Sequence, residues 1–145
     1  VQVGVDLLAY DLPVGSRADA GDVVEVVLYW RAIRPDLSDY QVNVSLVTED
    51  SARVVAQSQH RHPGDLPSSQ WPNWPLFDTY VVDAHTLVLG ENVSPGDYQI
   101  VIQMGRCNQL NLTACASIDP LFVRDPRGTS SGRDIVLPTK ITVRD

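Results

Sequence analysis

Four aromatic residues fall within ten positions of one another, in a stretch that also contains two prolines, an asparagine and an aspartate. Flat aromatic faces stack on the C–H surfaces of sugar rings, and amide or carboxylate groups bind hydroxyls, so the stretch is a candidate carbohydrate-binding surface. In the alternative interpretation, which we prefer, the aromatics fold back and bury their large apolar area against the domain. The residues of this candidate ligand site are Trp71, Asn73, Trp74, Phe77 and Tyr80.

A carboxylate and an imidazole come shortly after this stretch in the chain, at Asp83 and His85. Residues two apart lie on the same face of a strand, so the two side chains are placed to form an acid–base pair. Val81 and Leu87 continue the same face and make it partly apolar. We therefore expect a hydrogen-bonded structural pair rather than a catalytic one.

A second group of possible ligands consists of His60, His62 and Asp65. A zinc site requires three or four protein donors, and only His85 is available to complete this set. We therefore predict a solvated strand end, with no metal and no cofactor.

The two cysteines, Cys107 and Cys115, enclose a short polar loop. Their spacing matches neither a C-x-x-C redox motif nor a four-ligand zinc site. We predict a disulfide that closes this hairpin, which indicates an oxidising compartment.

The composition and the absence of known motifs argue against several classes of function. A net charge of −7, with only eleven scattered basic residues among 145, argues against nucleic acid as a partner. The sequence contains no G-x-S-x-G elbow, no P-loop and no G-x-G-x-x-G motif. We therefore expect a chain that is not an enzyme.

Alternation of apolar and polar residues with a period of two dominates the chain and defines the elements that must position these groups. It predicts about eight strands and almost no helix. Turns are predicted at 13–21, 34–39, 49–51, 90–96 and 125–134, and an 18-residue proline-rich loop over 61–78. The whole chain, 1–145, is expected to form one all-β domain, an antiparallel two-sheet sandwich of immunoglobulin-like or fibronectin III-like type. Its predicted core includes Leu28, Trp30, Val44, Leu46, Tyr98 and Ile100.

The order of these pieces resembles a small β-sandwich domain of bacterial envelope proteins. In that family the domain is appended to, or encoded in, multi-pass membrane glycosyltransferases of the mannosyltransferase-like type. The resemblance spans nearly the whole chain and rests on segments 26–32 (VVLYWRA), 39–40, 54–57, 67–71, 81–85, 95–98, 134–137 and 141–143.

This resemblance implies a non-catalytic, extracytoplasmic module, tethered through a larger membrane protein and acting in docking or recognition. The implied partners are the parent membrane protein or a glycan. The alternative function is a carbohydrate-binding module, which would use the aromatic loop 71–80 or a sheet face around Tyr29, Arg31, Asn43 and Ser45.

Overall fold

The computed structural model describes residues 2–33, 40–50, 53–60, 63–66, 68–72, 79–107, 118–120, 122–124 and 135–144. For 2–4, 60, 69, 106–107, 118–120 and 122–124 it describes the backbone alone. Within these ranges the only helical elements are two 3-10 turns, at Pro63–Asp65 and Ser68–Gln70. Neither has the length or apolar character needed to cross a membrane.

The first sheet has four strands in the order β6-β3-β1-β9. Strands β6 and β3 pair antiparallel, as do β3 and β1, whereas β1 and β9 run parallel. A bulge between Leu7 and Ala9 shifts the register of β1 against β3. The strands are β1 (Gln2–Asp11), β3 (Val23–Ala32), β6 (Val81–Val88) and β9 (Phe122–Arg124).

The second sheet is built around β7, its longest strand, in the order β2-β11-β7-β4-β5, with β8 and β10 also paired to β7. Its pairs are antiparallel except for β2 with β11. Its strands are β2 (Arg17–Asp19), β4 (Gln41–Thr48), β5 (Val54–His60), β7 (Gly96–Cys107), β8 (Ile118–Pro120), β10 (Ile135–Val136) and β11 (Ile141–Arg144).

Two parallel pairs distinguish this topology from the purely antiparallel one that alternation predicts. The predicted all-β, two-sheet organisation is confirmed, and the described residues form eleven strands, four of which have only two or three residues. Residues 17–19 were expected in a turn, yet they form β2 because β11 supplies a parallel backbone partner. The predicted turns at 34–39 and 125–134 lie outside the described residues.

The core lies between the inner faces of the two sheets. Along β3, every second residue from Val24 to Ala32 is buried, as the alternation predicts, and the six predicted core residues are all at most 6% exposed. Strand β4 differs, because its outward residues Gln41, Ser45 and Val47 are buried as well.

Candidate functional site

The carboxylate and imidazole predicted to share a face of one strand do so, and they contact each other. Asp83 and His85 point inward from β6, and His85 Nε2 lies 2.7 Å from Asp83 Oδ2. Both side chains are 0% exposed. The expected structural pair is therefore present, in an environment where an unpaired charge would be strongly unfavourable.

Asp83 accepts two further hydrogen bonds. The indole Nε1 of Trp30, on the neighbouring strand β3, donates to Oδ2 at 3.2 Å. The backbone N–H of Gly64 donates to Oδ1 at 3.1 Å. Three donors thus converge on one buried carboxylate, which compensates for the water that it loses on folding.

The contact from Gly64 depends on a close approach of the first 3-10 turn to β6. Gly64 has φ +68°, and a Cβ at this position would lie 2.5 Å from Val81 Cγ1 and 2.7 Å from the carbonyl oxygen of Val82. Asp65 follows with φ +61°, the one positive φ at a non-glycine position in the described chain. The turn is therefore pressed against the strand by a residue that must lack a side chain.

Ser58 extends the cluster into the second sheet. Its hydroxyl, on β5, lies 2.9 Å from Nδ1 of His85. An ionised carboxylate only accepts hydrogen bonds, so Nε2 of His85 carries a proton. In the neutral ring Nδ1 then accepts the hydroxyl proton of Ser58. The hydrogen bonds thus run from one sheet to the other, where the edge strands β5 and β6 meet.

Asp83, His85 and Ser58, here named the Asp–His–Ser cluster, contain the residue types of a nucleophilic triad. Nucleophilic catalysis also requires an accessible histidine base and donors aimed at the developing oxyanion. His85 has no exposed side-chain surface, and both its ring nitrogens are bonded within the protein. The arrangement therefore suits a structural link between the sheets.

The aromatic loop is divided between core and surface. Trp71 is 6% exposed and belongs to the core, and its Nε1 donates to the carbonyl oxygen of Leu66 at 2.8 Å. Nearby, the hydroxyl of Ser68 accepts a hydrogen bond from the backbone N–H of Tyr40 at 2.8 Å. For Trp71, the structure agrees with the interpretation that the aromatics cover the edge of the sandwich.

Tyr80, in contrast, is 56% exposed and packs edge-on against Tyr29, with ring centroids 5.6 Å apart. Asn73, Trp74 and Phe77 lie outside the described residues. Ligand binding by the aromatic loop therefore stays a prediction.

The predicted alternative binding surface, one sheet face around Tyr29, Arg31, Asn43 and Ser45, is wrong because these residues do not share a sheet. Tyr29 and Arg31 lie on β3 in the first sheet, whereas Asn43 and Ser45 lie on β4 in the second. Ser45 is also buried. Local alternation shows which residues share a face of one strand, but it does not show which strands share a sheet.

The other predicted sites fall wholly or partly outside the described residues. The hairpin of β7 and β8 places Cys107 opposite Ile118 on the backbone, but Cys115 and the side chain of Cys107 are not described. The disulfide therefore stays a prediction. The same holds for His62 and for the side chain of His60, and no group of three possible metal ligands occurs among the residues that are described.

The outer face of the first sheet carries apolar side chains that sequence analysis did not group together. Val82 lies directly opposite Tyr29, and Ala84 opposite Val27, while Ala9 of β1 lies beside Tyr29 on its other side. Val82 is 50% exposed. We name this surface, together with Tyr80, the outer apolar patch; it consists of Ala9, Val27, Tyr29, Tyr80, Val82 and Ala84.

Comparison with known proteins gives no relative from which a role could be transferred. No family model matches the chain, and no curated protein matches it.

Proposed function

We propose that this chain is a non-catalytic docking module of an extracytoplasmic protein, with a sandwich of immunoglobulin-like or fibronectin III-like type. Its partner would be a membrane-anchored glycosyltransferase-like protein, either as another part of the same polypeptide or as a companion. The proposal rests on the sequence resemblance together with the outer apolar patch.

The patch supports docking because the outer face of an antiparallel sheet is normally polar where it meets water. Here three adjacent strands present valine, alanine and tyrosine at the centre of the face, with Asp11, Glu25, Arg31 and Thr86 around them. Contiguous exposed apolar surface of this kind marks interaction sites, and tyrosine is enriched at the centres of protein interfaces. The edge-on contact of Tyr80 with Tyr29 also holds one ring in a defined position before binding.

A docking role requires no catalysis by the Asp–His–Ser cluster, and the contacts of the cluster fit a structural role. Besides bonding to each other, Asp83 and His85 bond to three other parts of the fold, at Trp30, Gly64 and Ser58. The cluster would stabilise the edge of the sandwich and so fix the position of β6, whose other face carries Val82 and Ala84 of the patch.

Docking is tested by measuring affinity for the glycosyltransferase-like membrane protein encoded in the same or the adjacent reading frame. That protein would be purified in detergent and immobilised. Val82→Ser and Tyr29→Ser should each weaken binding about tenfold or more, because central apolar contacts contribute most of the affinity. Val136→Ser is the matched control, since Val136 is 44% exposed but lies on the second sheet. Equal binding by all three variants, or a reading frame without such a partner, would contradict the proposal.

The non-catalytic assignment is tested with a fluorophosphonate probe, which forms a covalent bond to an activated serine hydroxyl and releases fluoride. Intact mass measurement should show no adduct on the native chain. An adduct that disappears in both Ser58→Ala and His85→Gln would show that the cluster activates Ser58 and would overturn the assignment.

A further inference from the structure

An open cleft of about 340 Å³ lies at the end of the sandwich remote from Tyr80. One wall is formed by the end of β4 and the start of β5, at Thr48 and 53–55, and the other by the segment between β6 and β7. Tyr98, which is buried, forms part of the floor. The volume is at the lower end of the range of about 300–1,000 Å³ that small-molecule sites occupy.

Backbone hydrogen bonds hold both walls in place. In the first wall, the N–H of Thr48 donates to the carbonyl oxygen of Arg53 at 3.0 Å. In the second wall, the N–H of Val93 donates to the carbonyl oxygen of Gly90 at 3.3 Å. The hydroxyl of Tyr98 donates to the carbonyl oxygen of Ser94 at 2.6 Å and ties the floor to that wall. The cleft is therefore formed before any ligand enters.

The two walls carry opposite charges. Arg53 lies on the first wall and Glu91 on the second, with Asn92 beside it. Within the described part of the chain, neither charged side chain forms an ion pair, although other surface charges do so, such as Arg144 with Asp19 at 3.1 Å. A guanidinium fork matches a carboxylate, and a carboxylate matches an ammonium group, so both walls have unused recognition capacity.

We propose that this cleft binds a small zwitterion, a molecule that carries a carboxylate and an ammonium group a few bonds apart. Arg53 binds the carboxylate and Glu91 the ammonium group, while Asn92 provides a further hydrogen-bonding group. The hydroxyl of Thr48 is already bonded to Asp50 and to the backbone N–H of Arg53, and it holds the first wall in place. Valine methyl groups from Val54 and Val93 contact the carbon skeleton. The net charge of −7 opposes the approach of a ligand with negative charge alone, but not of a zwitterion.

This binding activity is independent of docking through the outer apolar patch, because the cleft lies at the opposite end of β6 from Tyr80. Free amino acids and amino-sugar acids both carry the required chemistry. The experiment therefore includes one of each, alanine and muramic acid, with glucuronate and glucosamine as ligands that carry only one of the two charges.

The test is a titration of the isotope-labelled chain, followed by NMR through the backbone amides of Arg53, Asn92 and Val93. At least one zwitterion should shift these amides in a saturable way and should bind more tightly than either singly charged ligand. Whichever of alanine and muramic acid binds more tightly identifies the source of the ligand. If neither shifts the amides, or if glucuronate binds as tightly as they do, the proposal is wrong.

Two variants test which residue binds which charged group of the zwitterion. Arg53→Gln should weaken binding of the zwitterion about tenfold, the loss expected for one charge-assisted contact. Glu91→Gln should do the same and should also abolish the preference over glucuronate. Arg17→Gln and Glu25→Gln, both outside the cleft, are the matched controls and should leave affinity unchanged. Equal affinity in Arg53→Gln and Arg17→Gln would overturn the assignment.

Discussion

Asp83 receives hydrogen bonds from three donors in the described part of the chain. Its carboxylate accepts from an indole, an imidazole and a backbone amide, and it has no exposed surface. Removing it would leave all three donors buried without their acceptor. The cost of leaving buried donors unpaired exceeds the net gain from forming the bonds, so this position should be among the most sensitive in the chain.

We expect Asp83→Ala to lower the free energy of unfolding by about 3–5 kcal/mol, because three donors lose their acceptor at a cost of about 1–3 kcal/mol each where they are buried. Urea denaturation, followed by tryptophan fluorescence, measures it. Asp97→Ala is the control, because Asp97 also accepts a side-chain hydrogen bond, from Thr142 at 2.7 Å, but on the exposed surface. Similar losses in the two variants would show that the buried contacts of Asp83 contribute no more to stability than one exposed hydrogen bond.

The residue scale also shows what sequence could and could not predict. Spacing of two on an alternating strand was sufficient to pair Asp83 with His85 on one face. It gave no sign of Ser58 or Gly64, because their contacts depend on how β5 and the first 3-10 turn pack against β6. The same long-range packing determines that Trp71 is buried while Tyr80 is exposed. Alternation describes one strand at a time, whereas these contacts join separate elements.

At the scale of elements, the 3-10 turn at Pro63–Asp65 covers one end of β6 through a position that excludes a side chain. Gly15 provides a comparison within the same chain. It also has a positive φ, of +87°, but a Cβ there would meet no atom within 4 Å. Substitutions at the two glycines therefore distinguish the cost of the backbone conformation from the cost of steric overlap.

We expect Gly15→Ala to lower the free energy of unfolding by about 1 kcal/mol, because only the left-handed backbone is penalised. Gly64→Ala should lower it by about 1–3 kcal/mol more, since the added methyl group overlaps Val81 and Val82. Equilibrium unfolding of both variants gives the difference. Equal losses would show that the turn moves away from β6 at little cost.

The turn after β4 is also joined to the segment before β11. Lys140 Nζ lies 2.7 Å from Glu49 Oε1 at the surface. The hydrogen bond that Lys140 donates to Glu49, followed by the negative charge of Glu49, raises the pKa of Lys140 above 10.5. Because the folded-state pKa is the higher one, this contact stabilises the fold fully below pH 10.5, and the contribution is lost as the pH rises through the folded-state pKa.

Titration of the Lys140 side chain by carbon-detected NMR checks this direction. The pKa of Lys140 should lie above 10.5 in the native chain and should fall back towards that value in Glu49→Gln. The difference in stability between the two proteins should be constant near neutral pH and should shrink as the pH rises through the folded-state pKa of Lys140. An identical Lys140 titration in both proteins would exclude the contact in solution.

At the scale of the whole molecule, the two sheets are joined by an apolar core and, at one edge, by the hydrogen bonds of the Asp–His–Ser cluster. The predicted disulfide would add a covalent closure to the β7–β8 hairpin. By the loop-entropy estimate, a closed loop of this length contributes about 2.6 kcal/mol. It would stabilise mainly by restricting the unfolded chain rather than by adding a contact to the core.

Alkylation of the denatured chain without reductant, followed by mass measurement, should therefore show no modified cysteine. A sample reduced beforehand should show two. The double variant Cys107→Ser with Cys115→Ser should unfold at lower urea concentration, by an amount that corresponds to about 2.6 kcal/mol. Two free thiols in the unreduced chain would contradict the predicted disulfide.

The two parallel strand pairs impose an order of events on synthesis of the chain. Both early strands have a partner from late in the sequence, β1 with β9 and β2 with β11. A ribosome must release residues 141–144 from its exit tunnel before β2 finds its neighbour. Until then the second sheet lacks two of its strands, and the edge of β7 that β11 will cover is open to any extended chain nearby. For this domain, protection of that edge during translation depends on the release of β11.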